Sequence, residues 1–268
     1  MASLLSSDMI ALIERRLAAV RRRKIKIDPV LGPASGIVSR LGSLPKIDGD
    51  IIHAAIVDAI RAWTNLTVLP EWRTPISDGA DRLAAGGRHA TCLVTDLPYD
   101  AQVVDTVKVD LVTIDPVTGV ATAFEVKRGH GDHDSGKRQK IIDDLIRVRL
   151  VLAGHLRECG HTEVRTAAVR LVSYYGCGAT GPIPTLTRES IDQHFGVPVT
   201  TMVGAAAELM RAAALGILQD ELRLLLGPID GPGGWDRMAE LRNGLGQAGP
   251  FIPPPLSPAV TTGWATCQ

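Results

Sequence analysis

Residues Val107–Gly129, VKVDLVTIDPVTGVATAFEVKRG, decide how this chain is read. Val107 to Asp115 and Val120 to Lys127 are rich in Val, Thr, Ile and Phe, side chains that suit a pleated, half-buried surface. Pro116-Val117-Thr118-Gly119 supplies turn chemistry between them, so two strands joined by a tight turn are expected. Pairing Asp115 with Val120 sets Asp110 directly opposite Glu125. Opposed residues have Cβ atoms roughly 4.5–5.5 Å apart, where like charges repel. A shared divalent cation converts that repulsion into coordination. Mg²⁺ takes oxygen ligands at about 2.0–2.1 Å, commonly one or two carboxylates with water and substrate phosphate. Strand alternation puts Glu125 and Lys127 on one face and sends Phe124 and Val126 the other way, into the core. An ammonium beside a carboxylate pair suits metal-dependent phosphodiester cleavage, where it holds the attacking water or offsets charge on the phosphate. The bland alternative is a solvated hairpin whose charges pair with one another.

Asp110, a turn, and then Phe124-Glu125-Val126-Lys127 resemble the PD-(D/E)xK nuclease superfamily, whose members share the restriction-endonuclease-like fold. The resemblance runs from Asp48 to Ile191 and implies an α/β core in the order helix, three strands, helix, strand. It also implies a mixed sheet flanked by helices, a site at one sheet edge, Mg²⁺ as cofactor with Mn²⁺ as a substitute, and nucleic acid, DNA, as substrate. Carried over by position, Asp110 and Glu125 are metal ligands, assisted by the Val126 main-chain carbonyl, and Lys127 is the catalytic lysine. Val109 stands where many members have proline. The first core helix of the family often carries a glutamate; here Asp50, His53 and Asp58 are the candidates. Several branches place a Gln or Lys on the helix that follows the hairpin. Gln139 fills that place, with Lys140 second, and Asp143 stands where some branches have tyrosine.

The chain has 268 residues, enough for one sizeable core with extensions, and is 45% hydrophobic and 22% charged. With 29 basic and 29 acidic residues the formal charge is zero, so a nucleic-acid partner must be met by a local basic patch. The four cysteines are far apart and show no C-x-x-C spacing, which argues against a zinc site or a disulfide framework. No apolar run approaches the ~18 residues of a membrane span, and the N-terminal basic cluster follows its apolar residues instead of preceding them. A cytoplasmic protein without a membrane partner is the expectation.

Four segments are expected: a basic helix and linker (1–46), the nuclease-like core (47–200), a helical extension (201–248) and a Pro-rich tail (249–268). Ser7 or Asp8 caps the first helix, on which Met9, Ile10, Ile13, Leu17 and Val20 fall near helical spacing. Its end carries Arg21-Arg22-Arg23-Lys24, which complements the helix dipole and equally suits phosphate contact, with Arg22 and Arg23 the candidates. Ile27 to Lys46 reads as a linker, and a second helix, capped by Asp48 or Asp50, runs to about Thr64. Pro70 and Pro75 demote Thr67–Ile76 to an edge or bulged strand. Ser77 to Ala101 reads mostly as an insertion. Two His and two Asp fall in the loop Gly129–Asp134, a metal-binding composition that equally describes a solvated loop. The following helix, Lys137 to Leu156, opens with Lys137, Arg138, Gln139 and Lys140, where cations oppose the dipole and so argue for an anion. Val164 to Tyr175 is the fourth strand, with Arg165 and Arg170 of opposite parity. Thr187 or Arg188 to Phe195 is a short helix, and Thr201 to Leu226 a long one that Gly216 divides. Its apolar surface suits the core or a second subunit, so a homodimer is an open expectation.

These readings converge on a Mg²⁺-dependent deoxyribonuclease. The alternatives are a catalytically silent nucleic-acid-binding or assembly module of the same fold and, more remotely, an enzyme built on the histidine loop.

Overall fold

The computed structural model describes residues 4–129, 135–176 and 181–226. Its contacts divide the chain into two units, Met1–Arg16 with Pro45–Met210, and Leu17–Leu44 with Arg211–Gln268.

The first unit is α/β. A five-stranded mixed sheet has the order β1 (Thr67–Pro70), β4 (Leu111–Ile114), β5 (Val120–Lys127), β6 (Thr166–Ser173) and β7 (Thr185–Leu186). β1, β4 and β5 run antiparallel, whereas β6 joins β5 in parallel after the crossover helix α6 (Ser135–Glu158). A two-stranded ribbon of β2 (Arg73–Ser77) and β3 (Val103–Lys108) continues from it. β1 is an edge strand, as Pro70 requires.

The turn between β4 and β5 sets the register. Gly119 adopts a φ of 70°, and a Cβ there would lie 2.6 Å from the Glu163 carbonyl oxygen, so only glycine fits. The Asp115 carboxylate accepts the Val117 N–H at 2.8 Å and the Thr118 hydroxyl at 2.7 Å, while the Asp115 N–H donates to Val120 at 3.0 Å. Leu111 then pairs with Phe124 as the last rung of this ladder, and Asp110 and Glu125 are the residues that follow on either side. One face of the sheet (Val112, Ile114, Ala121 and Ala123) packs on Leu145, Ile146 and their neighbours along α6. On the other face, the ring of Phe124 meets Phe195 of α7 (Arg188–Phe195) with centroids 5.5 Å apart.

The expected first strand, Val107–Asp115, is instead two strands broken at Val109–Asp110. β1 and β2 face β4 and β3 in one continuous register, and at the break Glu71 stands opposite Asp110. Glu71 has a φ of 52°, the one left-handed non-glycine among the described residues, and it kinks the ladder there. Propensity sees Val107–Asp115 as uninterrupted because the kink originates in the partner strand.

Other boundaries also moved. The Ser6 hydroxyl, not Ser7 or Asp8, caps α1 (Ser7–Arg22), accepting the Met9 N–H at 3.1 Å. The expected linker Ile27–Lys46 contains a 3₁₀ turn at Gly32–Ala34, helix α2 (Ser35–Leu41) and the start of α3 (Leu44–Trp63). α3 therefore begins ahead of Asp48, and Asp48 is buried with an ion pair to Arg128 at 2.6 Å instead of capping. Within Ser77–Ala101, α4 (Asp78–Ala85) forms under the cap of Ser77, and the short α5 (His89–Cys92) follows without a side-chain cap. The remaining helix, α8 (Val199–Leu226), runs through Gly216 unbroken. In the second unit the Arg21 side chain approaches Gly216 so closely that a Cβ would sit 3.2 Å from its guanidinium nitrogen. α8 is also longer and more apolar than expected. By length and composition alone Val199–Leu225, with a mean hydropathy of 1.4, is sufficient to cross a membrane.

Candidate active site at the kinked sheet edge

β4 ends its pairing at Leu111, so Asp110 leaves the ladder and its side chain takes over a main-chain role. Oδ2 of Asp110 accepts the Val126 N–H at 2.7 Å. Because the N–H and carbonyl of a strand residue lie on the same edge, the Val126 carbonyl shares that direction, past the end of β4. The Lys127 ammonium donates to Glu125 Oε1 and stands 3.9 Å from Asp110 Oδ2. One cation thus spans both carboxylates, on the sheet face that also carries α6. The three side chains are partly sheltered, with exposures of 30% for Asp110, 19% for Glu125 and 29% for Lys127.

Burial pushes the Glu125 carboxyl above the usual carboxylate range, and the neighbouring Asp110 charge pushes the same way. The Lys127 ammonium opposes both and does not reverse them. Asp144 of α6 adds a smaller repulsion. The pair is therefore held at an electrostatic cost that a bound cation relieves.

Asp110, Val126 and Lys127 open onto a cavity of about 860 Å³ whose opposite wall is α3. Of the first-helix candidates, Asp50 is paired with Arg16 at 3.2 Å. His53 Nε2 lies 2.9 Å from the Asp110 main-chain carbonyl oxygen. Asp58 lines the cavity with one buried carboxylate oxygen that has no hydrogen-bond partner. None of the three joins Asp110 and Glu125 in a cluster: among the described residues, no three His, Cys, Asp or Glu side chains are grouped to hold a metal ion. Cations also line the cavity. Lys108 is tied to Glu71 at 2.9 Å and Arg128 to Asp48, whereas the exposed Lys46 and Arg61 make no ion pair among the described residues.

No family model, curated protein or solved structure matches the chain.

The remaining candidates are scattered. Gln139 donates to Asp143 at 2.8 Å and Lys140 pairs with Asp144 at 3.1 Å. Both line a second cleft, of about 680 Å³, with Asp81, His89 and Arg147, separate from the one that Asp110 and Lys127 line. Lys137 and Arg138 are exposed in the first turn of α6. Arg22 and Arg23 are exposed in the second unit, where Arg23 donates to the Ser43 hydroxyl at 2.7 Å. Arg170 pairs with Phe124 across β5 and β6 and so lies on the face away from Glu125. The histidine loop beyond Gly129 lies outside the described residues.

Glu71 was not foreseen. Its N–H donates to the Asp110 carbonyl at 2.8 Å, and the only local hint is the proline before it, which favours a turn.

Proposed function

We propose that this chain is a metal-dependent nuclease with a restriction-endonuclease-like core, hydrolysing phosphodiester bonds in DNA through Asp110, Glu125 and Lys127. The observation that carries the reading is one ammonium, that of Lys127, within ion-pair distance of both the Asp110 and the Glu125 carboxylates at the end of the β4–β5 ladder. The order of elements in the five-stranded sheet supports it: α3, β1, β4 and β5 antiparallel, α6 and β6 parallel match the helix, three strands, helix, strand that the PD-(D/E)xK resemblance implies. β2, α4, α5 and β3 are inserted between β1 and β4. DNA is the substrate that the same resemblance implies.

The donor set fits a hard divalent cation. Two carboxylates and a main-chain carbonyl offer oxygen alone, which suits Mg²⁺ or Mn²⁺ over softer metals. When bound, such an ion acidifies a water and draws charge from the scissile phosphate. The chain's own residues do the rest. Val126 holds the Asp110 carboxylate in one orientation through its N–H. Glu125, held at a cost beside Asp110, would take the ion in place of the Lys127 ammonium, which would relieve the repulsion that raises its carboxyl. Lys127, thereby released, donates to the attacking water or to a non-bridging phosphate oxygen. Lys46 and Arg61 on the cavity wall, and Lys137 and Arg138 at the start of α6, are the cations offered to flanking phosphates.

Supercoiled plasmid, linear duplex and single strands, each with Mg²⁺, Mn²⁺ or EDTA, test the reading when wild type is compared with Glu125→Ala and Lys127→Ala. Metal-dependent cleavage lost in both variants supports the nuclease. Cleavage that survives both substitutions sinks it.

A second reading is a nucleic-acid-binding or assembly module of the same fold that does not turn over. The observation in its favour is that no third acidic or histidine ligand joins the carboxylate pair among the described residues. Binding of the same substrates without cleavage distinguishes it.

A further inference from the structure

We propose that His53 and Glu71 are positioning residues that clamp Asp110 for cation binding; the inference rests on the reading of Asp110 and Glu125 as ligands. The Asp110 main-chain carbonyl accepts two hydrogen bonds, from the Glu71 N–H at 2.8 Å and from His53 Nε2 at 2.9 Å. A carbonyl oxygen has no hydrogen to give, so Nε2 is the donor and carries the proton. The two bonds engage both lone pairs of that oxygen. With Val126 on the carboxylate at 2.7 Å, three donors from three elements fix one aspartate.

The clamp is more than main-chain satisfaction. Glu71, which gives that N–H, has a φ of 52°, a conformation taken by no other non-glycine among the described residues. Strain of this kind persists only where the surroundings over-determine it, and it concentrates at sites with a task. Nor does α3 need His53 to stay docked. Ile51, Ile52, Ile56 and Ile60 on the same helix are buried to 1% exposure or less, and that apolar stripe anchors it. The polar bond from His53 is therefore spent on Asp110 itself. Asp110 sits beyond the last rung of the β4–β5 ladder, so on the β5 side the residue is held by its carboxylate alone. His53 also lines the cavity and takes the place on the first core helix where a direct ligand was expected. It acts through Asp110 instead.

The test is Mn²⁺ binding by the full chain, read as loss of the free-ion electron paramagnetic resonance signal, together with cleavage and thermal melting. His53→Phe keeps a ring and removes the donor; His53→Gln restores an N–H. The expected result is a Mn²⁺ affinity lowered roughly 10–100-fold in His53→Phe, the usual loss for an outer partner of a ligand. Recovery to within a few-fold in His53→Gln, with wild-type melting in both, completes it. Wild-type affinity in His53→Phe, or equal loss in both variants, overturns the clamp while leaving the carboxylate pair standing. Wild-type protein that binds no Mn²⁺ overturns the ligand reading and the clamp with it. A further measurement needs no variant: the ¹⁵N shift of His53 Nε2 at pH 8 is expected in the protonated range, and an unprotonated Nε2 overturns the assignment.

Discussion

Oδ2 of Asp110 lies 2.7 Å from the main-chain nitrogen of Val126, so a side chain replaces the acceptor that β4 would have supplied had it continued. That substitution joins stability to chemistry at one residue. The carboxylate that completes the sheet edge is also the one offered to a cation.

Asp110→Asn and Asp110→Ala separate the two roles. Asn keeps an oxygen for the Val126 N–H, and its unfolding free energy in urea is expected to stay within about 1 kcal/mol of wild type. Ala leaves that donor unpaired at a cost of about 1–3 kcal/mol. Both are expected to lose cleavage by at least ~100-fold, since each removes the charge that several kcal/mol of metal-assisted stabilisation requires. An active Asn variant contradicts the ligand role.

Glu125→Gln addresses the raised carboxyl. Between the ordinary carboxylate range and the higher folded value, the folded state binds more protons than the unfolded state, so this group's contribution falls as pH rises through that window. Its stability is fully present at low pH and is lost as pH rises through the folded value. Gln mimics the protonated form, so with EDTA at pH 7 the variant is expected to melt above wild type. The difference should vanish below the ordinary carboxylate range. Added Mg²⁺ at about 100 times its Kd stabilises wild type by about 2.7 kcal/mol and the variant by much less. A variant that melts below wild type at pH 7 contradicts the cost assigned to the charge pair.

Gly119→Ala tests the turn that sets the register. The left-handed φ of 70° and the 2.6 Å approach to the Glu163 carbonyl both oppose a side chain. A loss of about 1–3 kcal/mol in chemical denaturation is expected from the backbone conformation alone.

Asp96→Ala probes a support that is not part of the carboxylate pair. Arg149, 4% exposed, donates to Asp96 at 2.6 Å and to the carbonyls of Leu93 and Thr95. The same aspartate accepts the Thr166 hydroxyl at 2.6 Å, tying α6 and β6 to the segment between α5 and β3. Removing it strands a buried guanidinium at a cost of about 3–5 kcal/mol. Activity per folded molecule should not change, and a selective loss of activity without loss of stability would count against a purely structural role.

The hairpin was legible because its information is local. Turn residues, alternation and β-propensity place Asp110 against Glu125 without reference to the rest of the chain, and the spacing of apolar residues marks α1, α3, α6, α7 and α8. Gln139 shows the limit of such reasoning. Its position on α6 follows from periodicity, but the side chain turns to Asp143, one helical turn away, in a cleft apart from Lys127.

By itself, the amino-acid sequence determined the strand pair, its register and the residue types at the crowded edge, because each depends on neighbours within a turn or a strand length. Tertiary structure alone decided that Asp110 falls at a kink, that Glu71 pays for it with a left-handed backbone, and that His53 reaches the Asp110 carbonyl from 57 residues away. Glu71 faces Asp110 across the strand pair, but the second donor to that carbonyl comes from wherever the packed chain brings one, and no local pattern encodes which residue that is.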